Sequence, residues 1–160
     1  MEALMFGLEA SALARALGES LWVYPLVNAG HLLGMALLVG AIVPVDLRLL
    51  GAWRAVPLAP FCQVLARSAA VGLALAVVCG ALLFITRASE YAASGLFLAK
   101  MAIVALATAN ALALRFTGFD ELLRAGDADR PLPRRVRIAA ALSLLAWLAA
   151  LILGRLIGYR

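Results

Sequence analysis

One stretch decides the fold: residues 21–45, LWVYPLVNAGHLLGMALLVGAIVPV, which contain no formally charged side chain. The chain's single histidine, His31, lies inside it, aromatic residues stand near its start, and Asp46 and Arg48 follow its end. A helix needs about 20 mostly apolar residues to cross the hydrocarbon core of a bilayer. We therefore predict a membrane-spanning helix over 21–45 that carries the histidine.

Composition extends this prediction to the whole chain. Hydrophobic residues make up 66% of the 160 residues, charged residues make up 14%, and the mean hydropathy is +1.02. A soluble domain is closer to half apolar and one quarter charged. The net charge of +5 comes largely from arginines between apolar runs, which favours membrane topology and anionic lipids over nucleic acid. We expect the lipid bilayer to be a partner and nucleic acid not to be.

Four apolar runs predict an all-α integral membrane four-helix bundle, in a single domain over residues 1–160. The predicted spans cover residues 21–45, 61–86, 94–116 and 137–156. A short amphipathic helix over 3–17 is predicted to lie in the membrane interface, because its apolar residues recur on one helical face. In the third span, the fourteen uncharged residues between Lys100 and Arg115 are too few to cross the bilayer. That span must therefore hold Lys100 one or two turns inside.

Prolines and charges mark the connections between spans. Pro44 predicts the end of the first span, and Asp46 and Arg48 are expected to form an interfacial pair worth little energetically. In the third loop, Asp120 is a good N-cap for a short helix that runs through Arg124. These segments are expected to lie at the membrane surface.

Small residues follow one face of two spans. Gly72, Ala76 and Gly80 recur every four residues in the second span, and Gly30 and Gly34 do so in the first. Such a pattern lets membrane helices pack closely. The same faces could serve either the interior of the bundle or the seam of a homodimer.

The distribution of cationic residues predicts the orientation. Nine of the fourteen lysines and arginines lie in or near the first and third loops. The positive-inside rule places those loops in the cytoplasm. Because four spans leave both ends of the chain on one side, we expect a multi-pass inner-membrane protein whose N- and C-termini lie in the periplasm.

Polar side chains on several spans predict one outward-facing intramembrane pocket. Ionisable groups at membrane depth are costly, so they usually face the bundle interior or a wet cavity. His31 lies nine residues, about 14 Å, below Trp22, and the other groups fall near the same level. The predicted members are Asn28, His31, Met35, Lys100, Trp147, Arg155 and Tyr159, with Glu90 and Tyr91 at the rim.

Each polar member also has a structural interpretation. His31 can be a neutral imidazole that is hydrogen-bonded to a carbonyl or to Asn28. Lys100 and Arg155 can extend their long side chains to the headgroups. Asn28 and Asn110 can join helices through their amides.

Motifs over nearly the whole chain carry a resemblance to a known family. They are Trp22-x-Tyr24-Pro25, His31-x-x-Gly34, Asp46-x-Arg48-x-x-Gly51, Phe97-x-x-Lys100 and Gly154-Arg155-x-x-Gly158-Tyr159. This pattern resembles a family of small bacterial four-span membrane proteins of unknown function. More distantly, the chain is similar to the copper-resistance D-type membrane domain and to small b-type cytochromes. The first resemblance implies an architecture without an activity, and the second implies haem b or copper at His31.

A single histidine limits that implication. A b-type cytochrome usually holds its iron between two histidines on facing helices. Met35 shares a helix face with His31 and cannot be the second axial ligand, and Met101, beside Lys100, is expected to point elsewhere. A haem would then be five-coordinate, ligated by Met or Lys100, or shared by two copies of His31 across a dimer. For copper, one histidine with methionine ligands is acceptable, but the sequence has no tight methionine cluster.

Three hypotheses about function follow. The first is a redox protein that holds haem b or a metal at His31. The second is a carrier or receptor subunit that binds a small anion. The third is an accessory or assembly protein, with a membrane-protein partner, whose polar groups only set helix register. Enzymatic hydrolysis is not expected, because the chain has no Ser/His/Asp set, HExxH motif or phosphate-binding glycine loop.

Overall fold

A computed structural model of the chain describes residues 2–119 and 132–159, which are helical apart from short connections. The elements, in chain order, are α1 Glu2–Glu9, α2 Ala12–Glu19, α3 Val23–Leu50, α4 Leu58–Ile85, α5 Ala88–Ala93, α6 Gly95–Leu114, a π-helical turn Arg115–Phe119, and α7 Arg134–Ile157. Helices α3, α4, α6 and α7 are each long and apolar enough to span a membrane. The predicted all-α four-helix architecture is confirmed. The helix predicted over 120–124 lies outside the described residues.

Helix α3 is longer than predicted, because Pro44 lies inside it and does not end it. A proline within a helix removes its own backbone hydrogen bond but does not always stop the helix. The end comes at Gly51, whose φ of 115° is readily adopted only by glycine. Its N–H donates to the carbonyl oxygens of Leu47 at 3.1 Å and Arg48 at 3.2 Å, which completes a helix C-cap.

The N-terminal segment forms two helices instead of the single helix predicted over 3–17. Ser11 divides them, because its Oγ accepts a hydrogen bond of 3.2 Å from the Ala14 N–H and so caps α2. The carboxylate of Glu9 accepts hydrogen bonds from the N–H and the Oγ–H of Ser89, at 2.8 and 2.6 Å. These bonds tie α1 to the start of α5 and lower the pKa of Glu9 below its ordinary value.

Glycine-to-backbone contacts bring α3 and α4 close together. A Cβ atom at Gly34 would lie 2.5 Å from the backbone nitrogen of Ala76 and 2.8 Å from the carbonyl oxygen of Gly72. A Cβ atom at Gly72 would lie 2.5 Å from the backbone nitrogen of Leu38. The predicted close packing through small residues is confirmed, and these residues lie inside the α3–α4 interface.

The four spans pack in the order α4–α3–α7–α6. Helix α3 contacts both α4 and α7, and α7 contacts α6. Within the described ranges, no Cα atom of α4 lies within 8 Å of one in α6. The backbones of α4 and α6 therefore leave a wider gap than those of the contacting pairs, and side chains of both helices pack against the same buried clusters.

Two clusters of buried side chains join α7 to the rest of the bundle. The cluster at mid-span comprises Leu38, Ala107 and Trp147. The cluster near the end of α3 comprises Leu49, Cys62, Val136 and Ala140. In addition, Asn110 Nδ2 donates a 3.0 Å hydrogen bond to the carbonyl oxygen of Ala139. That bond joins α6 to α7, so the predicted helix-joining role of Asn110 is confirmed.

Arg48 organises the connection between α3 and α4. It is 6% exposed and donates to the carbonyl oxygens of Val56, at 3.1 and 3.0 Å, and Arg54, at 3.1 Å. The expected ion pair with Asp46 was wrong, because residues two apart on a helix do not face each other. In the described part of the chain the one ion pair joins Arg87 to Glu90.

A candidate intramembrane binding site at His31 and Lys100

His31 is held against α4 by its imidazole ring. The Nδ1 atom donates a 2.8 Å hydrogen bond to the carbonyl oxygen of Ala76. A carbonyl has no proton to give, so the Nδ1 atom carries the hydrogen. A Cβ atom at Gly80 would lie only 3.0 Å from Cε1 and 3.1 Å from Nδ1 of the ring. Because Gly80 lies one turn after Ala76, its missing side chain leaves the Ala76 carbonyl open to a second donor.

This hydrogen bond leaves the Nε2 atom of His31 with a free lone pair. Nε2 has no hydrogen-bond partner in residues 2–119 and 132–159. The Nε2 atom is also not fully buried. Two side-chain atoms in those ranges are buried without a hydrogen-bond partner, Asp46 Oδ2 and Trp147 Nε1, and Nε2 is not one of them. A neutral imidazole with an accessible Nε2 can accept a hydrogen bond or ligate a metal.

Lys100 lies in the second turn of α6, at the depth that the sequence predicts. Its stem crosses Gly154 of α7, where a Cβ atom would lie 3.5 Å from Nζ and 3.6 Å from Cε. The Nζ atom makes no hydrogen bond or ion pair with the described residues, and it is not enclosed. His31 and Lys100 lie in the first few turns of α3 and α6, toward the same end of the spans, and no hydrogen bond joins them. We call these two side chains together the His31–Lys100 site.

An aromatic cluster closes the gap between α4 and α6 near the helix ends. The Phe97 ring centroid lies 5.5 Å from that of Phe84 and 5.2 Å from that of Tyr91. Phe84 follows Gly80 by one turn on α4, and Phe97 precedes Lys100 by three residues on α6. Burial, with a smaller contribution from the nearby Tyr24 phenol, raises the pKa of Tyr91. The rim predicted at Tyr91 is therefore a packed closure, and the site lies below it.

Two of the predicted members, Arg155 and Tyr159, pair with each other at the end of α7. Arg155 donates a 2.6 Å hydrogen bond to the Tyr159 hydroxyl, and its guanidinium lies 4.4 Å from the centre of that ring. Both side chains are exposed, Tyr159 to 72%. No described contact joins this pair to the His31–Lys100 site.

The remaining predicted members lie at other positions around α3. Trp147 is 2% exposed and packs with Leu38, two turns deeper than His31. Met35 is half-buried one turn after His31. Asn28 is exposed, and its amide makes no hydrogen bond with the described residues. The hydrogen-bond partner of His31 is therefore the carbonyl of Ala76 and not Asn28.

Sequence reasoning missed the glycines that shape the site and one buried carboxylate. Gly80 was identifiable only as a packing residue and Gly154 only as part of a motif, because no pattern shows which carbonyl or side chain a glycine uncovers. Asp46 is 5% exposed and lies beside Ser143 of α7, with its Oδ2 atom unpartnered among the described residues. Its position next to Arg48 suggested the membrane surface instead.

The donor set around His31 fits a metal poorly. No group of three or more His, Cys, Asp or Glu side chains that could hold a metal occurs in residues 2–119 and 132–159. Met101 is 46% exposed, Met35 shares the helix of His31, and the ammonium of Lys100 repels a metal cation. The chain therefore offers Nε2 of His31 as one ligand, which could serve a haem as its single protein ligand but does not complete a copper site.

Comparisons of the chain with protein-family models, with curated proteins and with solved structures found no match. The fold and the site themselves therefore define the class: a small, four-span helical membrane protein with a polar site between its helices.

Proposed function

We propose that the protein binds a small organic acid at the His31–Lys100 site and acts as a carrier or receptor subunit in the membrane. The observation that carries this proposal is the pair of accessible atoms, Lys100 Nζ on α6 and His31 Nε2 on α3, which lie toward the same end of the spans and have no partner among the described residues. Ionisable groups within a membrane usually face a cavity and have a functional partner. Here the missing partner is the ligand.

The two groups are complementary to a carboxylic acid. The ammonium of Lys100 donates hydrogen bonds and attracts a negative charge, whereas the Nε2 atom of His31 accepts a hydrogen bond from a hydroxyl. The carboxylate of an organic acid can accept from Lys100, and a hydroxyl elsewhere on the same acid can donate to Nε2 of His31. Electrostatic attraction is stronger in the low-dielectric environment between the helices than in water, so a single cation suffices to select an anion.

Access to the site is proposed to be lateral, from the bilayer. The aromatic cluster of Phe84, Tyr91 and Phe97 closes the end of the gap. Below it, no Cα atom of α4 lies within 8 Å of one in α6 among the described residues. An acid with an apolar body could lie in this gap and present its carboxyl group to Lys100.

The proposal is tested with 4-fluorobenzoate as the probe and the full chain in lipid nanodiscs. Fluorine NMR should show line broadening with the wild type, and Lys100→Met should weaken the apparent affinity at least tenfold, because a charge-assisted hydrogen bond contributes about 1.5–3 kcal/mol. Arg155→Met is the matched control, since it removes an exposed cation from the same end. A wild type that does not broaden the probe signal, or equal losses in both variants, would refute the proposal.

A second candidate, haem b binding, is supported by the hydrogen bond between His31 and Ala76. Histidines that ligate metals commonly donate their other ring N–H to a carbonyl or carboxylate. His31 Nε2 would be the axial ligand and Lys100 would pair with a propionate; the haem would supply one-electron chemistry. Purified protein from cells grown with haem precursor should then show a Soret band that His31→Ala removes. A colourless wild type excludes this candidate.

An accessory role is the third candidate, with the helical bundle as the partner of another membrane protein or of a second copy. It is supported by Asn28, an exposed amide on α3 with no partner among the described residues, because such amides join helices in membranes. Cross-linking of an Asn28→Cys variant would show a dimer or heteromer. In that case the His31 and Lys100 substitutions should alter stability without altering ligand binding.

For the orientation, we propose an inner-membrane protein with periplasmic termini. Support comes from the excess of arginines in and near the first and third loops. Labelling of single cysteines with a membrane-impermeant maleimide, at positions 20 and 54 in a background without Cys62 and Cys79, tests this. Labelling at position 54 but not at position 20 in intact spheroplasts would show the opposite orientation and so contradict the proposal.

A further inference from the structure

A groove lies at the end of the spans opposite the His31–Lys100 site, where α3 ends and α7 begins. It has a volume of about 320 Å³ and is lined by Leu50, Arg134, Arg137, Ile138 and Ala141. Both arginines are exposed, and they lie three residues apart on α7. The groove therefore has a cationic mouth and an apolar floor.

The cationic mouth has no counter-charge in the described part of the chain. Neither Arg134 nor Arg137 makes an ion pair there, and the groove lining contains no acidic residue. Both guanidiniums lie in the first turn of α7, and Pro133 provides no side-chain cap for that helix. The positive end of the helix dipole adds to their attraction for an anion.

The apolar floor distinguishes a lipid from a soluble anion. Ile138 and Ala141 follow the arginines along α7, Leu50 at the end of α3 lies opposite them, and Ile138 is 49% exposed. A free phosphate ion would gain nothing from these side chains. An acyl chain gains binding free energy for every methylene group that leaves water or fills an unpacked groove.

We infer that this groove binds one anionic phospholipid, with its phosphate between Arg134 and Arg137 and an acyl chain along Ile138 and Ala141. Arginine pairs bind phosphate oxygens through fork-shaped hydrogen bonds, and basic pockets beside membrane helices bind anionic headgroups. The site is independent of the His31–Lys100 site, because it lies at the other end of α3 and shares no residue with it.

The experiment is native mass spectrometry of the detergent-purified full chain with equimolar phosphatidylglycerol and phosphatidylcholine. The wild type should retain one phosphatidylglycerol with at least a tenfold preference. The Arg134→Gln/Arg137→Gln double variant should lose that preference. Arg135→Gln is the control for each single substitution, because it removes one positive charge from the same turn without lining the groove, and it should keep the preference.

Two further measurements keep the outcome decisive. Ala141→Trp retains both arginines but fills the groove, so it should weaken phosphatidylglycerol binding at least fivefold. Circular dichroism identifies variants that fail to fold. If the double variant is one of them, the single substitutions Arg134→Gln and Arg137→Gln are compared instead. Equal retention of the two lipids by the wild type, an equal loss in Arg135→Gln, or displacement of the lipid by millimolar inorganic phosphate would overturn the inference.

Discussion

The Nδ1 atom of His31 on α3 donates a 2.8 Å hydrogen bond to the carbonyl oxygen of Ala76 on α4. This bond joins two spans and fixes the imidazole tautomer at the same time. It depends on Gly80, because a side chain at that position would meet the ring. A hydrogen bond between membrane helices contributes about 0.6–2 kcal/mol, so the bond orients the ring more than it stabilises the fold.

Gly80→Ala tests this relationship. The added methyl group would lie 3.0 Å from Cε1 of His31, so the ring must shift by a few tenths of an ångström and the bond to Ala76 should lengthen and weaken. We expect the Nδ1–H proton signal of His31, observed by NMR in nitrogen-labelled protein, to shift or to vanish. Retention of an unchanged Nδ1–H signal would show that the imidazole does not depend on Gly80.

Gly34→Ala tests the close approach of α3 and α4. A methyl group at Gly34 would collide with backbone atoms of Ala76 and Gly72, which cannot move as a side chain can. Overpacking in a core costs about 1–3 kcal/mol, and thermal unfolding in detergent should show that loss. Gly40→Ala is the control, because nothing lies within 4 Å of its added methyl group; a similar loss there would contradict the prediction.

Arg48→Met tests the role of the buried guanidinium in the α3–α4 connection. The substitution leaves the carbonyl oxygens of Val56 and Arg54 without their donors. Hydrogen bonds to charged groups contribute about 1.5–3 kcal/mol, so we expect a loss of at least that size in the free energy of unfolding. Arg54→Met keeps the Arg54 carbonyl and removes only an exposed side chain, and it should change the stability little.

Glu9 predicts a pH-dependent contact between α1 and α5. The hydrogen bonds from Ser89 lower the pKa of Glu9 below its ordinary value of 4.5. A carboxyl whose pKa is lower in the folded state stabilises the fold at pH values above its unfolded pKa, and that stabilisation is lost as the pH falls through the folded pKa. The Ser89 amide should therefore exchange its hydrogen slowly at pH 6, after correction for intrinsic rates, and faster below pH 4.

The matched variant for this pH dependence is Glu9→Gln. It should show little change in corrected Ser89 protection between pH 6 and acidic pH, because the glutamine amide does not titrate. Glu19→Gln, at the end of α2, should behave as the wild type does. If the wild type keeps the same protection at low pH, then the Glu9 carboxylate does not hold α1 against α5.

Hydropathy alone predicts most of the fold. The later three predicted spans agree with α4, α6 and α7 to within three residues at each end. The first span was cut too short at Pro44, because a proline is compatible with a helix when other contacts hold the chain on both sides of it. The helix over 3–17 was predicted without its break, because only the cap at Ser11 reveals where the turn falls.

The candidate site was predictable in part. His31 and Lys100 stand out in the sequence because ionisable side chains are costly within a membrane. The number of residues between each of them and the start of its span predicts that both lie near the same membrane surface. Sequence reasoning placed Arg155 in the same pocket, whereas the structure pairs it with Tyr159 at the exposed end of α7. Depth along a helix follows from residue number, but the direction of a side chain across the bundle depends on how the helices pack.

By itself the sequence determined that this chain has four helices long and apolar enough to span a membrane, that its helices approach through glycine and alanine, and which of these helices carry its rare polar side chains. These properties are local, since each depends on the residues of one segment and their solvation. Only the tertiary structure decided that the backbones of α4 and α6 stay more than 8 Å apart, that the Ala76 carbonyl fixes His31, and that Lys100 crosses Gly154. Those features depend on contacts between residues distant in the chain, which a single sequence does not encode in any pattern of spacing.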